Sequence, residues 1–332
     1  MTIFFGLGRE YVYSDGLCHF IFTLGIKICG WPEEGSFMFD LIKSPVSFEK
    51  IALFERILSN PNTTFQNRTL LQTACFCNND KIIELLILYP HIDVNYRVCD
   101  KDQTPLHILC SKGGNKDLVQ LIIERGADVN LRYNGLKLIQ IACYYGHLEI
   151  VEYLFTIGCD FHECYEIGVP IDCDLYISFE YACSSGRINI IQYLLSAYPK
   201  LPKFPNFIFV SCMNNCFSTV EFLLSNGWSP NTLQYDSHLL WYALAKSNIE
   251  IVKLLLERGA NANYCDINYP SALCQVCREG NLKMIDLLLN YGAKKNIEFQ
   301  GYFPYQWLMK SFKKVVDYAF YDKIMSSLKD FS

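Results

Sequence analysis

Side chains able to do chemistry gather in two places along this chain. Cys159, His162, Cys164 and Cys173 put four potential ligands within fifteen residues, and thiolates with an imidazole form the donor set of a tetrahedral zinc ion. Their spacing matches no zinc-finger pattern, and no metal is assigned to them. Cys274 and Cys277 have the spacing of a redox dithiol. No second pair stands near, and Cys277 occupies a recurring position that packing explains. Of the six histidines, His107 and His147 also recur in register, which suits a structural hydrogen bond better than a catalytic base. Ser-His-Asp sets, phosphate-cradling glycine loops and His-Glu-x-x-His helices are missing from the sequence, so neither catalysis nor a cofactor is expected.

The bulk composition narrows the setting. Among 332 residues, 34 acidic and 29 basic side chains give a formal charge of −5, which argues against binding nucleic acid through counterion release. The 51% apolar and 19% charged fractions belong to a folded chain. No segment reaches the roughly 18 uninterrupted apolar residues of a membrane span; Leu17 to Trp31 comes nearest and is broken by Lys27. Arg9 and Glu10 interrupt the N-terminal apolar stretch, so a secretory leader is not expected. The 16 cysteines are then thiols of a reducing compartment, and the expected location is cytoplasmic, with the nucleus also open.

The elements that hold these residues repeat. Seven segments align on Ala74, Leu109, Ala142, Ala182, Ser211, Ala243 and Val276, in steps of 35, 33, 40, 29, 32 and 33 residues. Nine, twelve and thirteen positions after each anchor the residue is always apolar, and the twelfth is always leucine, from Leu86 to Leu288. Those offsets share one face of a helix. Four residues after each anchor stands Asn78, Gly113, Gly146, Gly186, Asn215, Ser247 or Gly280, mostly types that tolerate the left-handed conformation closing a shorter first helix. The residue after the anchor is cysteine in six of the seven, which suits a small apolar group between close helices.

The sequences Thr104-Pro-Leu-His107, Gly126-Ala-Asp-Val-Asn130, Gly146-His-Leu-Glu-Ile-Val151 and Gly259-Ala-Asn-Ala-Asn263 resemble the ankyrin repeat in period and motif. The resemblance implies an all-α ankyrin-repeat solenoid, with stacked helix-turn-helix repeats and finger loops. Seven repeats are expected over residues 66–296, an N-terminal capping repeat over 37–65 and a C-terminal one over 297–332; residues 1–36 are left unassigned. The 40-residue step inserts about seven residues near Glu163 to Asp174, and the 29-residue step shortens the loop around Pro199 to Pro205. Insertions of this kind fall on loops of one face, often the binding face. Repeats four and five carry Ile177-Ser178 and Asn206-Phe207 in place of the threonine-proline turn, which makes them the place to expect a bend.

Ankyrin-repeat proteins bind other proteins, and the resemblance places the contacts on finger tips and on the exposed ends of the first helices. Here those positions are Tyr144 and Tyr145, Ser111 and Lys112, Met213 and Asn214, Ala245 and Lys246, and Arg278 and Glu279, with Asp100, Lys101, Gln103, Arg132, Tyr133, Asn134, Gln234 and Tyr235 on the fingers. Tyr133, Tyr144 and Tyr145, all in one repeat, are the strongest anchor candidates, because tyrosine is enriched where binding energy concentrates. Lys294, Lys295, Lys310, Lys313 and Lys314 near the C-terminus read as a solvated cap, or else as a contact for a membrane or an acidic partner. The expected function is a non-catalytic, monomeric scaffold or adaptor for one or more proteins. The alternative is an adaptor recruiting substrates to a ubiquitin-ligase or signalling complex, although no F-box, SOCS-box or BTB module is legible in the first or last 36 residues.

Overall fold

The computed structural model describes residues 68–78, 80–88, 91–97, 102–158, 163–164, 171–234, 237–266, 268–311 and 318–329. The 1–36 segment and the expected 37–65 cap lie outside them, as do Lys101, Tyr235, Cys159, His162, Lys313 and Lys314. The chain divides into two units, with the boundary between Ser178 and Phe179.

Each unit is a run of antiparallel helix pairs. In the first, the pairs are α1 (Leu70–Phe76) with α2 (Asp80–Ile87), α3 (Pro105–Lys112) with α4 (Lys116–Glu124), and α5 (Leu138–Tyr145) with α6 (Leu148–Thr156). A short hairpin, β1 (Glu163–Cys164) with β2 (Ile171–Asp172), occupies the inserted segment. Helix α7 (Cys173–Ser184) spans the boundary. The second unit continues with α8 (Ile188–Ala197), α9 (Pro205–Met213) with α10 (Phe217–Ser225), a hairpin of β3 (Leu233–Gln234) and β4 (Ser237–His238), α11 (Leu239–Ala245) with α12 (Ile249–Glu257), α13 (Ala272–Glu279) with α14 (Leu282–Asn290), and α15 (Pro304–Ser311) with α16 (Tyr318–Lys329).

The turn inside each pair follows from one backbone requirement. Asn78, Gly113, Gly146, Gly186, Asn215, Ser247 and Gly280 all take positive φ, between 50° and 94°, so the residue four after each anchor turns the chain back between the paired helices. The apolar stripe is also where its spacing puts it. The ninth position after the anchor is buried in all seven repeats, and the twelfth in six, with Leu121 half-buried. At the thirteenth position Ile87, Ile122, Leu224 and Leu256 are buried, while Phe155, Leu195 and Leu289 are only half-buried. Burial is completed by the next pair, because first helices stack on first helices and second on second.

The recurring cysteines Cys75, Cys110, Cys143, Cys183, Cys212 and Cys277 are buried to 0% exposure. Desolvation pushes the thiols of Cys75, Cys143, Cys183 and Cys277 well up, and that of Cys212 up to about 12. All six are packing groups at close helix contacts, and the raised thiols of the five named are held in an environment opposite to that of a reactive thiolate.

Polar clamps tie neighbouring loops together. Asn95 Nδ2 donates to Gly126 O (2.9 Å) while its Oδ1 accepts from Asp128 N (2.8 Å). Asn231 does the same with Gly259 O (2.9 Å) and Asn261 N (2.7 Å), and Asn263 with Gly292 O (3.3 Å) and Lys294 N (2.6 Å).

Two elements differ from the regular reading. Helices α1, α3, α5, α11 and α13 begin four residues before their anchors, whereas α9 begins six before and α7 nine before. Ile177-Ser178 and Asn206-Phe207 are therefore inside helices rather than at their starts. Helix α9 starts instead with Pro205 in its first turn, where the missing N–H costs nothing.

Leu154 is wholly buried on the stripe of α6. Its truncation to alanine should cost about 2–5 kcal/mol as a residual cavity. Urea unfolding checks this, and a change under about 0.5 kcal/mol, the scale of an ordinary surface substitution, would refute the register.

Candidate protein-interaction surface

The surface is built from the ends of the first helices, which the stacking leaves uncovered. In the first unit, Tyr144 and Tyr145 close α5 with 44% and 46% of their surface exposed, their rings edge-to-face at 5.2 Å. Tyr145 also lies nearly parallel to the His147 ring at 6.5 Å. Two adjacent exposed tyrosines fixed by ring contacts lose little side-chain entropy when a partner covers them.

Phe76 belongs to the same row. It is 36% exposed, with the Arg68 guanidinium carbon 4.2 Å from its ring centroid and Lys112 Nζ 4.1 Å from it. It stands two residues after its anchor, the register of Ser111, Tyr144, Met213 and Arg278, so the rule that selected those positions also selects Phe76. In the second unit the corresponding positions carry Met213, which is 43% exposed, and exposed Asn214, Lys246 and Arg278. Met309, at 54%, and Tyr318, at 60%, are exposed farther along; neither follows from the repeat register used to choose contacts.

Several chosen residues are occupied within the protein. Arg132 Nη1 donates to Gly135 O at 2.9 Å, inside its own finger turn. Asn214 Nδ2 donates to Val210 O at 2.9 Å, and Arg278 Nη2 to Gln275 Oε1 at 2.7 Å. The carbonyl of Gln103 accepts from Gln72 Nε2 at 2.7 Å. Gln234 Nε2 donates to Asn206 Oδ1 at 2.8 Å. Tyr133 is half-buried, paired with Leu136 across a finger turn and 6.0 Å ring-to-ring from His107. Lys310 Nζ sits 3.3 Å from the Tyr302 ring centroid and 5.0 Å from that of Trp307. Of the chosen residues, Lys112, Tyr144, Tyr145, Met213, Asn214, Lys246 and Arg278 are exposed, and Phe76 joins them in register.

The two signature histidines hold repeats together. His107 is wholly buried. Its Nε2 lies 3.1 Å from Leu131 O and its Nδ1 lies 2.7 Å from Thr104 Oγ1. A carbonyl only accepts, so the proton sits on Nε2 and Nδ1 accepts from the threonine hydroxyl. Gln72 takes the same role one repeat earlier, capping Thr69 N at 2.7 Å while its amide reaches Gln103 O. His147 Nε2 lies 3.3 Å from Ser111 O, and a Cβ added to Gly113 would stand 2.5 Å from His147 Cε1.

The proposed zinc ligands Cys159 and His162 lie outside the described residues. Among the described residues no group of three or more His, Cys, Asp and Glu side chains is placed to hold a metal ion. Cys274 and Cys277 are both buried in α13, with their thiols raised by desolvation, an environment opposite to that of a reactive dithiol. No described helix is long and apolar enough to cross a membrane.

The chain matches the family description of ankyrin repeats in three copies over residues 46–133, 93–163, 180–266, 207–299 and 239–318. It is 34% identical over 211 residues to dynein axonemal heavy chain 12 of Bos taurus, covering 60% of this chain and 57% of that one. It is 30% identical over 204 residues to ankyrin repeat and SOCS box protein 14 of Homo sapiens, covering 58% of this chain and 34% of that one. The crystal structure of the human ASB11 ankyrin repeat domain superposes with a TM-score of 0.54 at 23% identity, covering 68% of this chain and 99% of that one, which is a likeness of fold.

Burial lowers the His107 pKa to about 4 from an ordinary value of 6.5. The folded state therefore holds this ring neutral while the unfolded chain protonates, so its contribution to stability is complete above pH 6.5 and declines as pH falls toward 4. The loss approaches about 3 kcal/mol. Urea unfolding at pH 7 and pH 4 should show a drop that His107→Gln reduces by about that amount; equal drops in both proteins would contradict the assignment.

Proposed function

Because this chain belongs to the ankyrin-repeat family, a family of protein-interaction modules, we propose that it is a non-catalytic scaffold or adaptor. It binds a partner protein through the uncovered ends of its first helices, with Tyr144 and Tyr145 as the principal anchors. The observation that carries this reading is the exposed, ring-fixed tyrosine pair, in the same register as Phe76 between its two cations. Buried repeats supply rigidity, and rigid aromatic anchors dominate interface energetics. Lys112, Met213, Asn214, Lys246 and Arg278 extend the surface, while Tyr133, Arg132 and Gln103 act chiefly to shape the fingers.

A second reading follows from one relative. The 30% identical human protein is named for a SOCS box beside its ankyrin repeats, and this chain spans 34% of it. Under that reading the ankyrin array selects a substrate for a ubiquitin-ligase complex. The two readings share the recognition surface and differ in what is co-recovered.

Crosslinking pulldowns with the unmodified chain and with the Tyr144→Ala and Tyr145→Ala variants test the proposal. Each substitution should weaken partner binding by about 2 kcal/mol or more, the scale of an interface anchor, while stability changes by no more than about 0.5 kcal/mol, as for ordinary surface sites. Unchanged recovery of every partner would remove the tyrosines from the interface. Recovery of ubiquitin-ligase subunits favours the second reading.

A further inference from the structure

Arg68, two residues before α1, and Lys112, the last residue of α3, reach one ring, that of Phe76 at the end of α1. The guanidinium carbon is 4.2 Å and the ammonium nitrogen 4.1 Å from the ring centroid, and all three residues are exposed. An aromatic face attracts both charges, so each long side chain gives up part of its freedom before any partner arrives. Neither cation forms an ion pair with a carboxylate among the described residues. Two like charges drawn to one ring repel each other, and an anion shared between them relieves the repulsion.

The row continues into the tyrosine pair of the same unit. Helix α1 packs on α3 and α3 on α5. Asn78 Nδ2 donates to Lys112 O at 3.5 Å, His147 Nε2 lies 3.3 Å from Ser111 O, and the Tyr145 ring lies nearly parallel to that of His147. Packed helix axes are about 8–10 Å apart, so Lys112 stands one such step from the tyrosines and Phe76 stands two. An extended chain advances about 3.3 Å per residue and covers one step in about three residues and two in about six.

We propose that this row receives an extended acidic segment of a partner protein, with an aspartate or glutamate side chain at Arg68 and Lys112 and an apolar side chain about three to six residues away against Tyr144 and Tyr145. The proposal rests on the reading of the row as the recognition surface and adds the chemistry of the partner. A guanidinium offers a carboxylate a planar fork of donors, and the ammonium adds a point charge beside it. A wholly apolar segment would cover the two cations without pairing them, which costs free energy. Nucleic acid and anionic membranes are poorer matches. They present many charges at once and are held by many cations, whereas this row sets two cations among three exposed rings on a chain of net charge −5.

Selection of phage-displayed random dodecapeptides on the full chain tests the proposal, followed by affinity measurements on the tightest peptide. Retained peptides should be enriched in Asp or Glu about three to six residues from an aromatic or aliphatic side chain. Replacing that acid by its amide should weaken binding about threefold or more, the scale of an exposed ion pair, and the difference should shrink in high salt. Lys112→Gln and Arg68→Gln, both at exposed positions, should each diminish the preference for acid over amide while the amide peptide still binds. Retained peptides without an excess of acid, or an acid preference unchanged in either variant, would overturn the proposal. Recovery of no peptide would do the same, as would tighter binding when phosphoserine replaces the acid, which would assign the row to a phosphopeptide. Peptides weakened by Tyr144→Ala but indifferent to both glutamine variants would keep the recognition surface and remove its acidic partner. Peptides indifferent to the tyrosine variants as well would place binding elsewhere and remove both.

Discussion

Every repeat here carries an apolar stripe that it cannot bury by itself. The residues nine and twelve after each anchor form the inward face of a second helix, and only a neighbouring pair closes over them. This dependence sets the rest of the structure. It requires first helices to stack on first helices, which places a small residue at each contact and makes buried cysteine the usual choice. It also requires the chain to reverse within a few residues, which the positive-φ position after each first helix accomplishes. The loop clamps of Asn95, Asn231 and Asn263 and the His107 and Gln72 bridges then satisfy the backbone groups that stacking leaves between neighbours.

The proposed function follows from what stacking does not cover. At the last turn of several first helices the stacking leaves residues exposed. Cysteine at one position and tyrosine, phenylalanine, methionine, lysine or arginine one or two residues later sit on the same helix, one group buried and the other exposed. Under the proposed reading, packed helix ends present the second group without having to order it on binding, which lowers the entropy cost of association.

Much of this was legible in the sequence, because the stripe and the turn are local requirements written into every repeat. The positions expected to reverse the chain do so in all seven repeats. The loss of the threonine-proline turn at Ile177-Ser178 was legible, but that the helix there begins as early as Cys173 was not. Phe76 obeyed the contact register yet was passed over, and its flanking cations come partly from Arg68, outside that register. Arg132, Asn214 and Arg278 each commit a side-chain N–H to an acceptor three or four residues away that only a folded turn brings within reach.

The claim that pairs seal one another is tested most directly by hydrogen exchange on a single truncated second helix. Leu223 is wholly buried on α10, which lies against α8 and α12. In Leu223→Ala the account predicts faster amide exchange in α8 and α12 as well as in α10, because the stripe they share has lost its seal. Loss of protection confined to α10, with both neighbours unchanged, would contradict it.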